Sequence, residues 1–126
     1  TDSELQKGIQ NIENLKEKYK NVKANGSSQF NPGWHEALAM RNLLITSEAV
    51  ARAAHMREES RGAHTRDDFT TESDEWYQYN IICKKGEDGN MDIIKEKRKE
   101  PNAELIRIAN AKLEDIETEV AAERKS

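Results

Sequence analysis

From Trp34 to Arg61 the chain carries neither glycine nor proline, the two residues that most often interrupt a helix. Asn31-Pro32 stands ahead of this run in the order of an N-cap followed by proline at the first helical position. Gly62 follows it, where glycine would accept the left-handed conformation of a helix stop. The pattern predicts one long helix over about 31–61. Ala37, Met40, Leu44, Ser47, Ala51 and Ala54 trace a stripe along it at steps of three and four, while Leu43 and Val50 lie on a neighbouring face. Two apolar faces call for two neighbours. The small residues Ser47, Ala51 and Ala54 would let another backbone come close, so this helix is expected at the centre of a bundle.

Leu5, Ile9, Ile12, Leu15, Tyr19 and Val22 recur at helical spacing. Ser3 with Gln6 three residues on resembles a capping box. Lys20 and Lys23 suit the negative end of a helix dipole, and Asn25-Gly26 supplies a stop, giving a helix over about 3–24. Beyond Gly62, Thr70 to Glu75 reads as an acidic loop. Trp76 to Lys84 is rich in aromatic and β-branched residues, with Tyr77, Tyr79, Ile81 and Cys83 alternating on one side. Gly86-Glu87-Asp88-Gly89 is turn chemistry and Met91 to Glu96 a second apolar run, so a hairpin is expected over about 76–96. Glu100-Pro101-Asn102 breaks the pattern, after which Ile106, Ala109, Leu113, Ile116 and Val120 predict a helix over 102–122 with residues 123–126 fraying. The expected fold is mainly α: an antiparallel three-helix, spectrin-repeat-like bundle with a β-hairpin between its second and third helices, as a single domain 1–126.

Composition narrows the function. At 126 residues and 14.4 kDa there is room for one modest core, not for a cofactor-binding sheet beside a substrate domain. Hydrophobic and charged residues each make up 35% and mean hydropathy is -0.99, so the chain is polar enough to rely on a partner. A net charge of -4 and a pI near 5.5 argue against nucleic acid as that partner; the basic run Lys95 to Lys99 is interrupted and flanked by acids and reads as solvated surface. Cys83 is the only cysteine, which rules out an intrachain disulfide or a thiolate-rich metal site within one chain and fits a reducing compartment. No apolar run approaches the roughly 20 residues of a membrane helix, and no signal peptide is visible, so a soluble or peripheral protein without direct membrane insertion is expected. The start at Thr1 suggests a processed product or a piece of something larger.

The densest polar chemistry runs from Glu58 to Phe69. A metal site could be assembled from His55, His64, Asp67 and Asp68, but no two histidines share an i, i+4 face. Asp67 and Asp68 as an acid/base pair, or Cys83 as a nucleophile, would need a cleft that adjacency does not show. Arg61, His64 and Arg66 are the sharper case: three donors within six positions could take a carboxylate or phosphate. Equally, the arginine forks could hold loop carbonyls and carboxylates such as Glu58, Asp67 or Asp68 and fix how the helix exit docks.

Glu59-Ser60-Arg61-Gly62-Ala63-His64, followed by Arg66, Asp68 and Phe69, resembles the C-terminal helical domain of succinate dehydrogenase and fumarate reductase flavoprotein subunits. Leu15 to Val22, the positions Asn31, Ala37-Leu38, Asn42-Leu43 and Ala49, and the tryptophan-led hairpin at Trp76 and Gly86 to Gly89 are similar to the same family. The resemblance covers about Leu5 to Glu96. L-aspartate oxidase has a related domain but usually carries leucine at the place of Ala63. Thr70 departs from a common proline, and the helix after Asn102 has no evident counterpart. The resemblance implies a parent enzyme that interconverts succinate and fumarate by hydride transfer with FAD and passes electrons to an iron–sulfur subunit. It places the flavin-binding and capping domains upstream of this chain, and has the chain begin after the family's first helix of this domain ends. No catalytic, cofactor-binding or metal residue is then expected within the fragment, and FAD is expected to bind outside it. The resemblance makes Ser60, Arg61, Gly62, His64, Arg66 and Asp68 a domain-junction motif that packs on the flavin-binding domain, in a cytoplasmic complex peripheral to the membrane. The alternative is a free-standing helical protein-interaction module without catalytic activity.

Overall fold

A computed structural model describes residues 1–123. Helix α1, Asp2–Tyr19, begins closer to the terminus than the Ser3 reading places it. The Thr1 hydroxyl and ammonium both donate to Glu4 Oε2, at 2.6 and 3.0 Å, and Gln6 is instead engaged with Asp2, Nε2 to Oδ2 at 2.6 Å. The helix ends at Tyr19, not near Ala24, in a tightened last turn where the Val22 amide donates to the Tyr19 carbonyl at 2.9 Å. Gly26 does take a positive φ of 90°. It serves the following loop: Asn31 Nδ2 donates to the Asn25 carbonyl at 2.8 Å, tying that loop to the start of the next helix.

Helix α2, Pro32–Met56, starts as expected, with Asn31 Oδ1 accepting from the Trp34 amide at 3.3 Å. It stops at Met56 because Arg57 turns extended, so residues 57–61 leave the helix. A single turn, α3, Asp74–Tyr77, follows the exit loop, with Ser73 as its cap. Trp76 therefore lies on a helical turn and not in the hairpin. Strands β1, Tyr79–Lys85, and β2, Met91–Lys97, pair antiparallel with Ile82 opposite Ile94 and Cys83 opposite Ile93. The connecting turn closes through the Gly86 amide on the Asn90 carbonyl at 2.7 Å.

Past the hairpin, Asn102 caps α4, Ala103–Asn110, and an extended Ala111 separates it from α5, Leu113–Glu123. The single helix expected over 102–122 is thus two short ones. The chain is mainly helical with a two-stranded antiparallel hairpin, as the pattern implied. Within the described residues α1 lies along α2 and the hairpin rests on α2, while α4 and α5 do not pack extensively on this pair as a third bundle helix. Of residues 123–126, expected to fray, Glu123 closes α5 and 124–126 lie outside the described residues.

The most buried side chains are Trp76, Glu48, Glu59 and Arg66. Glu48, on α2, receives Lys16 Nζ from α1 at 2.9 Å and Arg52 Nε at 2.8 Å, and Arg52 reaches on to Glu13 at 2.6 Å. A satisfied ionic seam thus replaces part of an apolar core between the two long helices. Leu43 and Val50 are each 65% exposed. The second face of α2 has no neighbour among the described residues.

Candidate functional site at the exit of the long helix

Arg66 organises the exit. Its guanidinium is 2% exposed, and Nη1 donates to the Ala54 and His55 carbonyls at 3.0 Å each and to Arg57 O at 3.4 Å. These are the unsatisfied acceptors at the end of α2, where a cation also opposes the helix dipole. Nε and Nη2 form a two-pronged pair with Asp68, both bonds at 2.7 Å. Asp68 Oδ2 in turn accepts from the Asp2 amide at 2.6 Å, at the start of α1. The Arg66 fork, with the Asp2 amide adding to it, holds the Asp68 carboxyl far below the usual carboxylate range.

Glu59, fully buried, is the second node. It accepts from Arg57 Nη1, from Arg61 Nε at 3.1 Å and from the Ser73 amide at 2.9 Å. Burial alone would push its carboxyl up, but the Ser73 amide and the two guanidinium groups outweigh burial and hold it below its ordinary value. Arg61 directs its remaining donors at Glu72 Oε2, 3.0 Å away, and at the Ser73 carbonyl, 3.2 Å away. Its guanidinium also lies 5.2 Å from the Tyr77 ring centre, which Arg98 approaches to 4.6 Å.

Ser60 and the glycine set the backbone path. The Ser60 hydroxyl donates to the Phe69 carbonyl at 2.7 Å and accepts from the Arg66 amide at 2.8 Å. Gly62, with φ of 57°, sits in a tight turn in which Arg61 and His64 exchange backbone bonds at 2.8 and 3.0 Å. It shapes this turn and does not stop α2, which has already ended at Met56. His64 Nε2 lies 3.1 Å from the Arg57 carbonyl, as a donor in the tautomer that carries hydrogen there. All six motif positions from Ser60 to Asp68 are therefore brought into one folded exit.

The arrangement settles what these groups can do chemically. Arg61 and Arg66 direct their guanidinium nitrogens at acceptors of the chain itself, so the two side chains brace the exit; they do not form an open anion cradle. His55 Nε2 is 3.0 Å from Asp2 Oδ1 but off the direction of a hydrogen bond, and among the described residues no three His, Cys, Asp or Glu side chains gather as a metal site. Cys83 is exposed, with Sγ directed at the Ala49 carbonyl at 3.8 Å. Sequence reasoning missed the Arg57–Glu59 pair, which two nearly adjacent charges do not announce, and the cap that Asp68 places on the Asp2 amide, whose two residues lie far apart in the chain.

Residues 1–121 match the family described as fumarate reductase flavoprotein C-term. The chain belongs to that family. The match reaches past Glu96, so α4 and most of α5 fall inside the flavoprotein C-terminal region and do have a counterpart. Relatives include a fumarate reductase (CoM/CoB) subunit of Methanothermobacter marburgensis, 36% identical over 83 residues that make up 66% of this chain and 15% of that protein. The succinate dehydrogenase flavoprotein subunit of Coxiella burnetii is 32% identical over 87 residues, 68% of this chain and 15% of that protein. The chain thus spans about 15% of the length of these relatives. A structure of the Mycobacterium smegmatis Sdh1 complex with UQ1 superposes with a TM-score of 0.78 and 34% identity, over 92% of this chain and 20% of that one; the apo form gives 0.75 and 38%, over 80% and 18%. The context of this fold in its relatives is a multi-subunit succinate dehydrogenase complex.

Proposed function

We propose that this flavoprotein C-terminal region serves a parent subunit that interconverts succinate and fumarate with FAD and passes electrons to an iron–sulfur subunit. The family match over residues 1–121 carries the reading. In it, the chain is a structural domain that packs on the flavin-binding domain of the same subunit, and the complex sits at the cytoplasmic side of a membrane through other parts. Support for a peripheral role is that, among the described residues, no helix is long and apolar enough to cross a membrane. At the helix exit the forks of Arg61 and Arg66 are taken by Glu59, Glu72, Asp68 and backbone carbonyls, which supports a flavin site elsewhere in the parent subunit. FAD is then held by residues outside this chain, and no step of its chemistry is assigned to residues within it.

The junction is assigned to Ser60, Arg61, Gly62, His64, Arg66 and Asp68, with Arg61 as the clamp. Arg61 is the outward member of the buried Glu59 node and carries the half-exposed Tyr77 ring beside a shallow cavity of about 300 Å³. Arg61→Ala in the whole subunit is expected to lower flavin retention and thermal stability together; wild-type values for both would remove the clamp. The reading as a whole stands on the reading frame upstream of Thr1 encoding a flavin-binding region, and a start codon at that point would favour a free-standing interaction module.

A further inference from the structure

We draw no further inference here: the strongest candidate, the groove that Leu44, Ile45 and Ala49 of α2 line with Met91 of β2 between the end of α1 and the tip of the hairpin, is an apolar face for which nothing in the structure shows what covers it.

Discussion

Arg66 and Asp68 hold opposite ends of the two long helices on one ion pair. The guanidinium of Arg66 takes the terminal carbonyls of α2 while Asp68, paired to it by two bonds of 2.7 Å, accepts the first amide of α1. Each charge faces the helix end of opposite sign, so the pair orients both helices as well as joining them.

Arg66→Ala would leave those carbonyls and the carboxylate without their partner in a site where water reaches poorly. The expected loss is about 3 kcal/mol of unfolding free energy, at the lower end for a broken buried pair because Asp68 keeps partial solvent contact. Arg66→Lys keeps the charge but cannot span both the carbonyls and the carboxylate, and should lose about 1–2 kcal/mol. Urea unfolding of the isolated chain measures both. A lysine variant as stable as the parent would reduce the fork to a simple charge.

Acid should unfold the chain through its buried carboxylates. Glu48 and Glu59 have folded values held below the ordinary one, so the unfolded state binds more protons as the pH falls through the carboxylate range. Their contribution is complete above about pH 5 and lost as pH drops through the lower folded values. The raised values of Lys16 and Arg52 matter only on the alkaline side, where stability should fall above about pH 10. A plateau between these limits is expected in chemical unfolding followed against pH. Glu48→Gln should lower the plateau and make the acid slope shallower, since one of the groups that takes up protons on unfolding is gone.

Gly62 and Gly8 should respond to alanine with opposite signs. Neither has an atom within 4 Å of a built Cβ, so packing does not separate them. Gly62 sits at φ 57° in the Arg61–His64 turn, and alanine there should cost about 1 kcal/mol, asparagine less. Gly8 lies inside α1, where alanine should add about 0.5–1 kcal/mol by lowering the entropy of the unfolded chain. Thermal melts of the two variants check the pair; a loss at both positions would mean that the space at Gly8 is used.

These residues also show how far the fold could be read in advance. Asn31 and Pro32 announced the start of α2 because a cap is local, and the glycine turn announced the hairpin for the same reason. The end of α2 was not legible, because it is set by Arg66 reaching back along the chain to the last carbonyls. Gly62 suggested a stop only because its positive φ suits one; the same φ serves a turn. The motif from Ser60 to Asp68 identified the family, yet its partners Asp2 and Ser73 lie outside it, and nothing local to Glu48 marks it until Lys16 is placed beside it. Local chemistry was readable, while the ionic contacts that join distant segments needed coordinates.

The uncovered face of α2 gives the last expectation. Leu43 and Val50, each 65% exposed, contribute little to the isolated chain, so Leu43→Ser with Val50→Ser should change its unfolding free energy by no more than about 0.5 kcal/mol. In the whole subunit, where the proposed function packs this domain against a larger partner, the same pair should lower the melting temperature, because polar atoms then replace apolar ones in a closed interface. The comparison requires both measurements on the same variant. Stability lost in the isolated chain would mean that the face is already covered within it, and stability kept in the whole subunit would place the interface on another face.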